Sequence, residues 1–126
     1  MATAIARKFL EDSISVQSAG VETVGGMVAS QEAVKVMLEM GYDVSDHRSQ
    51  SLKSLNLNNF DIIIAMSPSI ADELRKVCSI DAYKLKVWNV PDPYGKGIED
   101  YRLCAKSLEE LLSDLSKDFP QHKQAN

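Results

Sequence analysis

An aspartate held between two prolines has the setting best suited to chemistry in this sequence. Asp92 lies between Pro91 and Pro93. Each proline fixes its own φ at about −65° and moves the preceding residue out of the helical region. The loop therefore presents Asp92 on a stiff backbone, as a general acid requires when it must reach a leaving group at hydrogen-bond distance. Aspartate is also a common turn and cap residue, so a turn whose aspartate caps the following helix is the more frequent use of this pattern.

Other residues that could carry chemistry are few. His47 follows Asp46 and could bind a metal, but the second histidine, His122, belongs to a polar tail. The two cysteines, Cys78 and Cys104, fall in helix-like segments and have neither a disulfide-framework nor a zinc-site spacing. Gly25-Gly26, in a predicted loop, and Gly95-Lys96-Gly97 are too short and wrongly placed for a nucleotide-binding site. We therefore predict no metal and no cofactor.

Composition limits the class of protein. The chain has 126 residues, of which 44% are hydrophobic and 25% charged, typical of a globular domain. We predict one α/β domain over residues 1–119 and a polar tail over 120–126. The net charge of −4, without a basic stripe, argues against nucleic-acid binding. No signal peptide and no apolar run of about 20 residues is present, so we expect a cytoplasmic protein that does not bind membranes.

Helical patterns occur in four places. Met1 to Leu10 is amphipathic but has no capping residue ahead of it. Ser30 is placed to cap a helix over Gln31 to Met40, with Gly41 ending it. The third helix follows a cap at Ser67 and has Pro68 in its first turn. The fourth runs from Ile98 to Leu115. Their predicted apolar faces are Ala33, Val34, Met37 and Leu38 in the second helix, Ile70, Leu74 and Val77 in the third, and Tyr101, Cys104, Leu108, Leu111, Leu112 and Leu115 in the fourth.

Strand patterns alternate with these helices. They are Ile14 to Gln17, Phe60 to Met66 and Leu85 to Val90. The second is apolar at consecutive positions, which is typical of a strand buried on both faces of a parallel sheet. The alternation predicts an α/β sandwich of three layers, with helices flanking a short, mostly parallel sheet. Ligands of such sheets bind at the carboxyl ends of the strands. The residues in the loops after these three strands are Ser18, Ser67 and Asp92.

Four segments resemble, in order and spacing, the low-molecular-weight protein tyrosine phosphatase family. They are Ser18 to Gly20, Gly41 to Arg48, Phe60 to Met66 and Pro91 to Gly95. One class of arsenate reductases shares the family's fold, and the resemblance covers essentially the whole chain. It implies hydrolysis of phosphate monoesters, phosphotyrosine above all, through a cysteinyl-phosphate. The implied partner is a phosphorylated protein or a small aryl phosphate.

The resemblance also implies roles for four residues. Asp92 takes the position of the general acid, which reverses the preference for a simple turn. Tyr94 falls where an aromatic side chain helps to wall the substrate cleft. Ser18 and His47 match positions whose side chains support the phosphate-binding loop by hydrogen bonding.

The sequence departs from the family at the nucleophile. The family's Cys-x5-Arg loop follows its first strand, and neither cysteine here begins such a loop, because Lys84 and Glu110 stand six residues after Cys78 and Cys104. We therefore expect this chain as given to be inactive. The alternatives are a non-catalytic pseudophosphatase or interaction module, and an arsenate reductase relative, which would need further redox cysteines near the site.

The beginning of the sequence suggests an expectation about this departure. Met1 to Ile5 resembles the family segment directly after the loop, so we expect either a start codon assigned too late or a genuine truncation. The family's first strand lies between the strands equivalent to residues 13–18 and 60–66. Its absence from this sequence would expose two strand edges. We expect the gap to close by re-pairing, by homodimerisation or by strand exchange.

Overall fold

Helices and two short parallel strands make up the regular structure in the computed structural model, which describes residues 1–10, 13–20 and 29–119. The helices and strands are α1 (Ala2–Phe9), α2 (Gln31–Glu39), β1 (Ile63–Ala65), α3 (Pro68–Val77), β2 (Leu85–Val87) and α4 (Ile98–Ser116). Single 3-10 turns cover 52–54, 57–59 and 82–84. The fold is α/β, as predicted.

Side-chain caps set the beginnings of α2 and α3. The Ser30 hydroxyl accepts a hydrogen bond from the Ala33 amide at 3.2 Å, and Ser67 accepts one from the Ile70 amide at the same distance. Each cap satisfies one of the amides that the first helical turn leaves without a partner. Gly41, at φ +91°, follows the C-cap of α2 in the left-handed region. The predicted caps and the glycine stop are confirmed.

The other two helices begin without a side-chain cap. The absence of a capping side chain at α1, whose N-cap is Met1, was predicted from the sequence; the N-cap of α4 is Gly97. In α4, Glu99 and Asp100 occupy the first turn, where their negative charge compensates the helix dipole.

The described residues divide into two compact units. The helical unit comprises those of Met1–Ser18, Val28–His47 and Pro93–Asn126, and the sheet unit comprises those of Ala19–Met27 and Arg48–Asp92. In the helical unit, α4 packs against both α1 and α2.

The helical unit buries one apolar stripe from each helix. Ile5 and Ala6 of α1 are buried, and Val36 and Met37 of α2 are fully so. The buried side chains of α4 are Tyr101, Cys104, Ala105, Leu108, Leu112 and Leu115. The predicted face of α2 was wrong at one position, because Leu38 is 56% exposed while Val36 is buried. The stripe Ala33, Val36, Met37 follows the i, i+3, i+4 spacing of a helix that packs against one neighbour.

The sheet unit is built on one parallel strand pair. Ile63 pairs with Leu85 and Ala65 with Val87. On one face of the sheet, Ala65 packs with Ala71 and Leu74 of α3. Six half-buried side chains surround this cluster: Leu52, Leu57, Ile63, Ile70, Ile80 and Leu85. Val77, expected to point inward, is 62% exposed, because it lies at the last position of α3.

The first predicted strand, Ile14 to Gln17, is not formed. Residues 13–20 alternate between exposed and half-buried, as a strand would, but contain no ladder. Arg7 Nη2 instead donates to the Val16 carbonyl at 3.4 Å. Only Gly20 makes a bridge, a parallel one with Ser51. A strand needs a neighbour, and β1 and β2 pair with each other.

Two further predictions fall on residues outside the described ranges. These are the loop at Gly25-Gly26 and the polar tail over 120–126. Both remain predictions from the sequence.

Candidate active site

The loop that carries Asp92 is anchored at the carboxyl end of β1. The Trp88 amide donates to the Ala65 carbonyl and the Val90 amide to the Met66 carbonyl, each at 2.8 Å. Val90 is itself only 7% exposed. Because Pro91 follows directly, the backbone leaves this anchor with little freedom. The sequence showed the prolines but not the amide contacts, since those depend on the alignment of β2 with β1.

Asp92 is exposed at the end of this anchored segment. It is not the cap of the following helix: α4 begins at Ile98, and its N-cap is Gly97. The interpretation of Asp92 as a capping residue is therefore wrong. Its carboxyl group is thus carried at the surface on a stiff loop.

Tyr94 lies in a tight turn just after the prolines. The Lys96 amide donates to the Pro93 carbonyl at 2.9 Å, and Gly95 takes φ +80°, which favours glycine at that position. Tyr94 is 78% exposed while Pro93 is buried. The turn thus projects the aromatic ring outward from a fixed base.

His47 is the last residue of a separate turn that begins at Val44. Its amide donates to the Val44 carbonyl at 3.0 Å, and its side chain is half-buried. The preceding residues are ordered by Asp43, whose Oδ1 accepts from the Ser45 amide at 2.9 Å and from the Ser45 hydroxyl at 2.6 Å. These hydrogen bonds lower the pKa of Asp43. The ionised carboxylate therefore holds the turn.

The structure places the four predicted site residues in two units. Asp92 is the last residue of the sheet unit, whereas Ser18, His47 and Tyr94 belong to the helical unit. Ser18 is half-buried at the end of the extended segment 13–20. Because it follows no described strand, its predicted place at the end of a strand is not observed.

The loops that follow β1 and β2 leave the sheet at one edge, as the sequence predicted. β1 and β2 run parallel, so Ser67, two residues after β1, and the segment from Trp88 to Asp92, directly after β2, leave the same edge of the sheet. The Ser67 hydroxyl caps α3 and also lies 3.2 Å from that of Ser69. This edge is where open α/β sheets bind their ligands.

The cysteines are placed apart from any nucleophilic motif. Cys78 is the C-cap of α3, half-buried, and Cys104 is buried in α4. Within residues 1–10, 13–20 and 29–119, no three His, Cys, Asp or Glu side chains form a group able to hold a metal ion. None of the described helices is long and apolar enough to cross a bilayer.

The helical unit also has an open groove. It has a volume of about 620 Å³ and runs along α2. It is lined by Ala29, Gln31, Val34, Lys35, Leu38 and Glu39. None of the four predicted site residues lines it, so it is not part of the candidate active site.

A carboxyl group thus lies on a proline-stiffened loop that leaves the carboxyl edge of the parallel strands of an α/β protein. The family model described as low molecular weight phosphotyrosine protein phosphatase matches residues 1–125. The chain therefore belongs to the low-molecular-weight phosphotyrosine protein phosphatase family.

Proteins similar to this chain support the family assignment. The probable low molecular weight protein-tyrosine-phosphatase EpsP of Ralstonia nicotianae is 32% identical over 115 residues, covering 86% of this chain and 79% of the relative. The crystal structure of the low molecular weight protein tyrosine phosphatase from T. tengcongensis superposes with a TM-score of 0.84 at 33% identity. It covers 94% of this chain and 88% of that structure.

Similarity extends to other activities. An arsenate reductase of Bacillus subtilis is 34% identical over 125 residues, covering 96% of this chain and 85% of the relative. The YwlE arginine phosphatase from Geobacillus stearothermophilus is 27% identical with a TM-score of 0.84, covering 93% of this chain and 81% of that structure. The proteins to which this chain is similar thus differ in substrate.

Proposed function

We propose that this chain is the body of a phosphate-monoester hydrolase, with phosphotyrosine as its substrate class, and that the 126 residues alone do not turn over. The observation that carries the proposal is the placement of Asp92, exposed on a loop whose start is anchored to the carboxyl end of β1 by the Val90–Met66 hydrogen bond. Family membership supplies the reaction type.

The reaction has two steps. A cysteine thiolate attacks phosphorus, so that an S–P bond forms and the P–O bond to the phenol breaks. Asp92 gives its proton to the departing phenolate oxygen. In the second step the Asp92 carboxylate takes a proton from water, whose oxygen attacks phosphorus and releases the thiolate and inorganic phosphate.

The nucleophile must come from a Cys-x5-Arg loop, which these 126 residues do not contain. Amide dipoles and a helix N-terminus lower the pKa of such a thiol, and the arginine binds the phosphoryl oxygens. Ser18 and His47 are proposed to hold that loop by hydrogen bonding, and Tyr94 to wall the cleft. Neither Cys78 nor Cys104 can replace the nucleophile, because neither has an arginine six residues after it and neither lies ahead of a helix N-terminus in a Cys-x5-Arg loop.

The test compares the chain with a version carrying a strand and a Cys-x5-Arg loop fused ahead of Met1. We expect no hydrolysis of p-nitrophenyl phosphate by the 126 residues and clear turnover by the extended chain. Asp92→Asn in the extended chain should lower kcat by about 10²- to 10⁴-fold, as for loss of a general acid. Reading the in-frame codons upstream of Met1 shows whether the gene encodes such a loop.

The leaving group provides the matched control. The Asp92→Asn defect should be large with phenyl phosphate and much smaller with 2,4-dinitrophenyl phosphate, whose leaving group needs no proton. An equal defect with both esters would remove Asp92 from the role of general acid. Turnover by the unextended chain would contradict its proposed inactivity.

Two alternatives are kept because specific observations favour them. A pseudophosphatase or interaction module fits a sequence without the nucleophile. An arsenate reductase fits the similarity to the Bacillus subtilis enzyme, but Cys78 and Cys104 belong to different units, which gives no support for a redox pair. Arsenate-dependent oxidation of a thiol reductant by the extended chain would favour the latter.

A further inference from the structure

We propose that the hydroxyl group of Thr3 positions the arginine of the phosphate-binding loop, by donating a hydrogen bond to a backbone carbonyl of the segment that leads into α1. Thr3 is then a positioning residue that touches neither the substrate nor the nucleophile. This inference rests on the proposed function, because that function requires a Cys-x5-Arg loop ahead of Met1. It adds one residue of this chain to the residues that hold the loop.

Thr3 is an exception among the buried residues. It is 6% exposed, and apart from Tyr42 and Tyr101 no other described residue with a side-chain oxygen or nitrogen is buried. Both tyrosine hydroxyls take part in hydrogen bonds. Within residues 1–10, 13–20 and 29–119, Thr3 Oγ1 is the only buried side-chain oxygen or nitrogen without a hydrogen-bond partner. Buried polar atoms in folded proteins are almost always paired, because an unmade hydrogen bond leaves the cost of desolvation uncompensated. The Thr3 hydroxyl therefore indicates a missing partner.

The position of Thr3 on α1 indicates where this partner lies. Thr3 is the second residue of the helix, and the Cα–Cβ bonds of a helix are tilted toward its N-terminus. A threonine hydroxyl in a helix can donate to the carbonyl three or four residues before it. For Thr3, those carbonyls belong to the two residues that directly precede Met1 in the extended chain. The missing acceptor is therefore expected in the segment that leads into α1.

The first turn of α1 gives the Thr3 side chain a fixed base. Ile5 and Ala6 are buried, and α1 packs against α4. The N-cap, Met1, makes no side-chain hydrogen bond, so the amides of the first turn receive no side-chain cap. A backbone segment that enters α1 thus meets a hydroxyl donor whose position is set by the packing of the helix.

The carbonyl three residues before Thr3 belongs to the arginine of the loop. In the proposed function the loop ends directly ahead of Met1, because Met1 to Ile5 resembles the family segment that follows it. A hydrogen bond from Thr3 to the arginine carbonyl fixes the backbone from which the guanidinium group reaches the phosphoryl oxygens. Loss of this bond should weaken oxyanion binding while the nucleophile and Asp92 remain in place.

Thr3→Val and Thr3→Ser form a matched pair for the test. Valine keeps the shape of the side chain without the hydroxyl group, whereas serine keeps the hydroxyl group without the methyl group. Urea unfolding is measured for both variants in the 126-residue chain and in the extended chain. In the 126 residues Thr3→Val removes an unpaired buried hydroxyl, so the urea midpoint should not fall. In the extended chain the same change removes a hydrogen bond, so the midpoint should fall.

Binding of inorganic phosphate to the extended chain is a readout that loss of packing alone does not reproduce. Thr3→Val should raise the dissociation constant of phosphate, measured by isothermal titration calorimetry, about fivefold, the ratio that corresponds to one net hydrogen bond. Thr3→Ser should leave this constant unchanged, because it retains the donor. A rise as large with serine as with valine would assign the effect to the methyl group and would overturn the proposal.

The outcomes distinguish this inference from the proposed function. If the extended chain binds phosphate but hydrolyses no aryl phosphate, the proposed function fails, while the urea midpoints and the phosphate dissociation constants still decide the role of Thr3. If the extended chain is active and Thr3→Val shifts the urea midpoint equally in both chains, the function stands and the role of Thr3 is wrong. A lower midpoint for Thr3→Val in the 126 residues would place the partner of the hydroxyl within them and would also contradict the inference.

Discussion

Tyr42 connects three parts of the helical unit. Its hydroxyl donates to Glu109 Oε2 of α4 at 3.1 Å, and the ammonium group of Lys8 in α1 lies 5.5 Å from its ring centroid. The ring is 8% exposed. Burial, together with the hydrogen bond to Glu109, raises the pKa of Tyr42 to about 12. This residue makes the helical unit sensitive to alkaline pH.

The direction of this pH dependence follows from the pKa of Tyr42, which is 10.0 for an unperturbed tyrosine and about 12 in the folded chain. Between pH 10 and pH 12 the unfolded chain releases the Tyr42 proton while the folded chain keeps it, so the free energy of unfolding falls as the pH rises. We expect a loss of about 1 kcal/mol from pH 9 to pH 11 that depends on this residue. Urea unfolding at both pH values, on the native chain and on Tyr42→Phe, measures it.

The variant is also the control for that measurement. Tyr42→Phe retains the ring but has no proton to release, so its own alkaline loss should be smaller by the same amount. Equal losses in both proteins would assign the effect to other groups.

At the scale of elements, the two capping serines offer a comparison. Ser67 caps α3 through the Ile70 amide, whereas Ser30 caps α2 and in addition donates to the Tyr101 hydroxyl of α4 at 3.2 Å. Ser67→Ala should cost about 1 kcal/mol of unfolding free energy, the usual value for a lost cap. Ser30→Ala should cost more, because it also removes the contact between α2 and α4.

Chemical denaturation of the single and double variants separates the two contributions of Ser30. In Tyr101→Phe the link to α4 is already lost, so adding Ser30→Ala should cost only the cap. An undiminished cost in that background would mean that the Ser30–Tyr101 hydrogen bond contributes nothing.

Helix α3 gives a second matched pair. Leu74 is 4% exposed and packs on Ala65 and Ala71, while Val77, three residues later, is 62% exposed. Leu74→Ala should lower the free energy of unfolding by about 2–4 kcal/mol, and Val77→Ala by less than about 0.5 kcal/mol. Thermal and urea unfolding would test this, and similar effects of both changes would contradict the packing described for the sheet unit.

The helix beginnings were predictable because capping is local. Ser30 and Ser67 act on amides three residues away, so the sequence alone carries the signal. The inward faces were less predictable. Leu38 and Val77 are apolar and at helical spacing but exposed, because burial depends on which neighbour a helix meets.

Strand formation, unlike helix capping, could not be predicted from a local pattern. The pattern of Ile14 to Gln17 is that of a strand, and its exposure alternates, yet it has no ladder. Pairing is a property of two segments, and one segment cannot reveal whether its neighbour is available. The same holds for the loop of Asp92: the sequence predicted its stiffness, and the resemblance supplied the proposed role. Its anchor on Met66 became visible only with β1 and β2 side by side.

At the scale of the whole molecule, the order of the elements along the chain determines when each unit can fold during synthesis. The elements β1, α3 and β2 follow one another within Arg48–Asp92 of the sheet unit. The helical unit has α1 and α2 near the beginning of the sequence and needs α4, close to its end, to cover both. During synthesis on the ribosome, α1 and α2 therefore emerge early and wait for α4. At about 5–20 residues per second, that wait lasts several seconds, in which their apolar stripes are open to chaperones.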